Sequence, residues 1–177
     1  SPLLPLFFPG MEVIGGPYLN THLKNNYTQF GDGTLLGQTT WSREEFVGHA
    51  DRYKVRWIVC WSPYVVNFCK NHPDLINMVS NVPAPFFIGK IETASMKSAP
   101  SNDAIQGYAE LKTDRGSIIA TRLQPESNLV VLPYHFSSYL RTEPPVELKA
   151  VHLEPDPMPF IGLLNPPDKV MISLDFF

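Results

Sequence analysis

Proline sets the tightest limit on what this chain can fold into. It accounts for 18 of 177 residues, about twice average usage. Each proline fixes φ and removes a backbone donor, so helix interiors and central strands tolerate it poorly. Long helices are therefore excluded, and short helices, edge strands, loops and turns are favoured. The chain is 44% hydrophobic with a net charge of −3, which is too apolar for a disordered segment and is enough for one core or two small ones. The acidic balance, with a pI near 5.9, lacks the basic face of a nucleic-acid binder, and no nucleic-acid partner is expected. No stretch approaches the ~20 consecutive apolar residues that cross a bilayer.

The hydrophobic pattern divides the chain in two. Residues 1–92 read as a small α/β domain. Met11–Ile14 is a short apolar strand stopped by Gly15-Gly16-Pro17, and a polar, glycine-bearing loop follows to residue 40. Ser42 and Glu45 stand at capping-box spacing, and Phe46, Val47, Ala50 and Tyr53 behind them form one helical face. Val55–Trp61 is a continuous apolar run with one arginine, the pattern of a central strand covered on both sides. Ser62-Pro63 restarts a helix with Val65, Val66, Phe68 and Cys69 inward, ending near His72-Pro73, and Phe86–Ile91 supplies a further strand. Strand–helix alternation predicts some parallel pairing.

Residues 93–103 (TASMKSAPSND) are small and polar and read as a linker. Residues 104–177 then change character. Tyr108–Lys112, Ser117–Leu123, Asn128–Tyr134, Val146–Leu153, Phe160–Leu164 and Val170–Phe176 are short alternating stretches separated by Pro, Gly, Asn and Asp. That is the signature of an antiparallel β-sandwich. The prolines at 155, 157, 159, 166 and 167 suit loops and protected edges. The expected class is α+β, a small α/β layer followed by a β-sandwich.

No catalytic constellation emerges. Gly15-Gly16-Pro17 carries neither phosphate-loop pattern, and Pro17 removes a donor where an anion would need one. The five histidines (22, 49, 72, 135 and 152) share no metal-ligand spacing. Cys60 and Cys69 stand in no CxxC and beside no histidine at ligand spacing. They read as buried free thiols, since a disulfide would require their two elements to face each other. No metal and no cofactor are expected. His22 lies in the loop after the first strand, where open α/β sheets place their sites. His135 sits among Tyr134, Phe136 and Tyr139, where a stacking surface can form. His49 and His72 read as structural, one at a helix edge and one at a helix end. Glu154 and Asp156 are the one acidic pair that a glycosidase could use. Ser62 has a simpler role as a helix cap, and no GxSxG is present.

Three segments resemble a known family. They are Phe8–Tyr18 (FPGMEVIGGPY), Tyr53–Ser62 (YKVRWIVCWS) and the tail carried by Val130–Phe136, Asp156–Ile161 and Asn165-Pro166-Pro167. Together they are similar to the region that follows the last membrane helices in bacterial GT-C-type, dolichyl-phosphate-mannose-like glycosyltransferases and related YfhO-type polytopic proteins. In that family the catalytic acid lies between early membrane helices, a region this chain does not contain. The WWDYG motif of oligosaccharyltransferases is also absent.

The resemblance implies a non-catalytic extracytoplasmic domain, tethered to an upstream membrane-embedded region of the same protein, that binds an acceptor glycan, a lipid-linked sugar or a protein. The opening SPLLPLFFPG, without Met or a complete signal peptide, and the strand-like ending VMISLDFF fit the C-terminal piece of such a protein. A free-standing carbohydrate- or protein-binding module is the alternative, with Trp41, Tyr134, Phe136 and Tyr139 offered to sugar faces. A hydrolase using Glu154 and Asp156 is the third.

Overall fold

The computed structural model describes residues 28, 30–79, 84–93, 102–114 and 116–174. The expected strand at 11–14, the loop carrying His22 and most of the polar stretch 93–103 lie outside them. The chain divides into two compact units, whose described parts are residues 28–93 and 102–174. The class is α+β, dominated by antiparallel sheets.

In the first unit a 3₁₀ turn, Phe30–Asp32, precedes helix α1, Arg43–Tyr53. The helix starts where the sequence places its cap. Ser42 Oγ accepts the Glu45 N–H at 3.1 Å, and the Ser42 N–H donates to Glu45 Oε2 at 2.6 Å. Such a cap contributes about 1 kcal/mol. Lys54 ends the helix in the left-handed region, with its N–H on Ala50 O. The helix buries Phe46, His49, Ala50 and Tyr53, so His49 joins the packed face rather than its edge. Helix α2, Pro63–Asn71, opens on Ser62 and Pro63 as expected and closes where His72 Nδ1 lies 2.8 Å from Phe68 O. Val65 and Cys69 are buried, and Val66 and Phe68 pack half-buried against the same core.

Strands β1 (Trp57–Cys60), β2 (Ile76–Met78) and β3 (Phe87–Ile91) form one sheet in the order β1-β3-β2. Among the described residues every pairing is antiparallel, where strand–helix alternation predicted some parallel pairing. The β1–α2–β2 crossover does bring β1 and β2 round in the same direction, but β3 returns between them and takes up the hydrogen bonds of both. The same insertion leaves β1 at the edge, not in the centre. Its burial alternates: Ile58 and Cys60 point into the core, Trp57 and Val59 point out. The core gathers Trp41, Phe46, Ile58, Cys60, Val65, Cys69, Ile76, Phe87 and Ile91 on one side of the sheet.

Among the described residues the second unit holds seven strands: β4 (Tyr108–Asp114), β5 (Ser117–Gln124), β6 (Leu129–His135), β7 (Leu140–Glu143), β8 (Glu147–Val151), β9 (Phe160–Leu164) and β10 (Lys169–Leu174). They make a four-stranded sheet, β4-β5-β10-β7, and a three-stranded sheet, β6-β9-β8, each fully antiparallel. Register aligns the apolar pairs. Ile118–Ile172 and Ala120–Val170 in one sheet share a core with Val130–Leu163 and Leu132–Ile161 in the other. The result is sandwich-like packing around a single core. Gly107, just before β4, has φ +76 and a Cβ there would lie 2.7 Å from Gln124 O, so only glycine fits. The six expected strands are all present; β7 and β2 are the two that the sequence pattern did not announce.

Candidate aromatic binding face

The outward side of the β1-β3-β2 sheet is apolar and open. Register sets Trp57 opposite Lys90 and Val59 opposite Ile88, and one step further on brings Trp61 beside Phe86. Trp57 is 53% exposed, Val59 45%, Trp61 45% and Phe86 52%. Val79 extends the row past Ile88, to which it is joined by its N–H on Ile88 O at 2.9 Å. A strand rises about 3.3 Å per residue, so the two tryptophans stand roughly 13 Å apart on one face.

Trp61 is held in place. Its Nε1–H donates to Asp32 Oδ1 at 3.0 Å, and its ring meets Phe86 edge-on with centroids 6.2 Å apart. The indole lies directly against the backbone at Gly31, where an added Cβ would collide with the ring. The 3₁₀ turn in turn is tied to the strand end, because the Ser62 N–H donates to Gly31 O at 3.1 Å. An exposed indole fixed by a hydrogen bond and a glycine seat loses little rotamer freedom when a ligand covers it. Gly31→Ala is expected to lift the Trp61 ring off this seat. The Trp61 indole N–H resonance should move toward its solvent position, with the remaining amide spectrum unchanged; an unmoved resonance would contradict the seating.

The residues nominated from sequence are placed differently. Trp41 is 8% exposed and belongs to the core, with Nε1–H on Gly33 O at 3.0 Å and rings of Phe30, Phe46, Tyr64 and Phe68 around it. Tyr134 is buried in the sandwich core. His135 is 2% exposed, its Nε2 lying 3.4 Å from Asp156 Oδ1 and its ring beside Phe160. Phe136 is half-buried against the same core, and its N–H donates to Pro159 O at 2.8 Å. Tyr139 is exposed. Of these five, Tyr139 alone keeps an open ring face, so they do not assemble a stacking surface. His22 lies outside the described residues.

The acidic pair fares no better as chemistry. The Asp156 side chain is fully buried, close to His135 and accepting the Met158 N–H at 3.0 Å, while Glu154 is exposed. A buried carboxylate cannot reach a glycosidic oxygen, so the pair loses one of its two members. Among the described residues no three His, Cys, Asp or Glu side chains gather to hold a metal ion, and no helix is long and apolar enough to cross a membrane. A shallow hollow of about 290 Å³ on the second unit, lined by Ile119, Glu143, Pro144, Lys169 and Met171, contains none of the nominated residues.

No protein-family model, curated protein or solved structure matches the chain. The likeness to GT-C-type membrane proteins therefore rests on the sequence segments alone, and the aromatic face must be read from its own geometry. Sequence reading passed over Trp57, Trp61, Phe86 and their seat at Gly31 and Asp32. The signal was the i, i+2, i+4 spacing of Trp57, Val59 and Trp61, which one-sided burial turns into an exposed row.

Proposed function

We propose that this chain is a non-catalytic binding domain that takes an extended glycan across the aromatic face of its first unit. The observation that carries the reading is the pinned Trp61, exposed with Trp57 and Phe86 on one sheet face. Sugar rings present C–H faces that stack on aromatic rings, and a span of about 13 Å suits an oligosaccharide better than a single sugar. Asp32, Asn77 and Lys90 stand beside the rings and offer polar groups to hydroxyls. Within a GT-C-type parent, such a domain would hold the acceptor or the lipid-linked sugar outside the membrane while chemistry proceeds elsewhere.

A polypeptide partner is the second reading, favoured by the aliphatic row Val59, Ile88 and Val79 between the rings. A panel of mannose, glucose and N-acetylglucosamine oligosaccharides, immobilised and probed with the chain, separates the two. Binding that falls at least tenfold in both Trp57→Ala and Trp61→Ala supports the glycan reading. Absence of binding to every oligosaccharide, or binding indifferent to both substitutions, rejects it.

A further inference from the structure

The two cysteines are buried, and no motif pairs them. The fold supplies one. Cys60 is the last residue of β1 and points into the core; Cys69 lies on the inward stripe of α2, one helical turn after Val65. Only Trp61 and Ser62 separate strand from helix, so α2 folds straight back over the inner side of β1. Both sulfurs sit in one cluster, Cys60 fully buried and Cys69 2% exposed, and the two thiols are hydrogen-bonded to each other. Strand and helix thus face each other at these positions, which is the condition a disulfide requires.

We propose that Cys60 and Cys69 are a convertible dithiol, which a disulfide-bearing oxidant closes into an intramolecular bond clamping α2 to β1. The roles of the two sulfurs differ. The Cys69 S–H donates to Cys60, which lowers the pKa of Cys60 against the opposing effect of burial. Cys69 keeps the shared proton, and that hydrogen bond together with burial raises its own pKa. Cys60 is therefore the attacking sulfur.

Its thiolate attacks one sulfur of the oxidant R–S–S–R, forming a mixed disulfide and releasing RS⁻. Cys69, deprotonated as it reacts, then attacks Cys60 Sγ and expels the second RS⁻. The two thiol protons end on the two released thiolates, giving two RSH, and two electrons pass from the cysteines to the oxidant. Because both sulfurs are enclosed, the exchange proceeds late in the packing of α2 on β1, or through a local opening, in which the two thiols already lie side by side. The proposal does not depend on the ligand of the aromatic face, which lies on the opposite side of the same sheet.

The test is to refold the full chain in glutathione and glutathione disulfide and to digest it with trypsin without reduction. No Lys or Arg lies between Trp57 and Cys69, so both cysteines fall in the single peptide 57–70. The expected result is that this peptide is lighter by two hydrogens and titrates no free thiol in denaturant. The oxidised chain should melt roughly 10 °C above the reduced one, an effect set by closing a short loop in a small unit. Cys60→Ser and Cys69→Ser should each abolish that difference. Two persistent free thiols, glutathione adducts on the peptide, or disulfide-linked dimers would each overturn the proposal.

Discussion

Replacing Trp41 with alanine is expected to destabilise the first unit by about 4 kcal/mol, the usual range for removing a large buried aromatic side chain. The ring is surrounded by Phe30, Phe46, Tyr64 and Phe68 at centroid distances of 5.2, 5.9, 5.4 and 4.6 Å. Its deletion leaves a cavity among rings that cannot all close over it, and Gly33 O loses its donor. A loss of that size approaches the whole stability of a small unit, so the variant should be largely unfolded. All three tryptophans of the chain are at 41, 57 and 61, within the first unit, so tryptophan emission during urea titration reports this unit alone. The midpoint is expected to fall to near zero denaturant. A variant that unfolds with the parent's midpoint would show that Trp41 is not in a core.

The second large effect is expected at Asp156. Its carboxylate is enclosed in the sandwich unit, 3.4 Å from His135 Nε2, and accepts the Met158 N–H at 3.0 Å. Asp156→Ala removes the acceptor of the half-buried Met158 N–H and the carboxylate that lies beside the buried His135 ring. Removing one partner of a buried polar pair costs more than the pair contributes, because the group left behind stays desolvated. A loss of about 3 kcal/mol is expected, read as a fall in the thermal midpoint of the β signal in circular dichroism. Asp156→Asn retains Oδ1 for Met158 and should lose less. Equal losses in the two variants would assign the whole effect to the charge and none to the Met158 turn.

How much of this was legible beforehand depends on the range of the interaction. The two helix starts were written locally: Ser42 with Glu45, and Ser62 with Pro63, are complete within four residues. Six strands of the sandwich were legible because each is a short alternating or continuously apolar run bounded by turn residues; β6 and β9 are of the second kind and are buried almost throughout. Strand β7 was not, because Leu140-Arg-Thr-Glu143 has one apolar residue and runs along the edge of its sheet. Strand β2 has three residues, too few for any period to show.

The burial of the tryptophans reversed their local surroundings. Trp41 stands among Gln38, Thr39, Thr40 and Ser42 and reads as exposed, yet it anchors the core. Trp57 and Trp61 stand in an apolar run and read as covered, yet β3 takes the central place and leaves β1 with one bare side. That outcome is decided by strand order, which depends on residues 27 to 33 positions apart (Cys60 with Phe87, Trp57 with Lys90) and has no local mark. The contact between Cys60 and Cys69 is likewise a product of how α2 returns over β1.

The central claim is that the open face of this sheet is a binding surface while Trp41 is structural. The measurement that tests it most directly is a titration of the ¹⁵N-labelled chain with an oligosaccharide of the mannose, glucose or N-acetylglucosamine series, following the three indole N–H resonances. Trp57 and Trp61 are expected to shift with one common saturation curve while Trp41 stays in place. Saturating oligosaccharide that leaves all three resonances unmoved, or that moves Trp41 and spares Trp57 and Trp61, would contradict it.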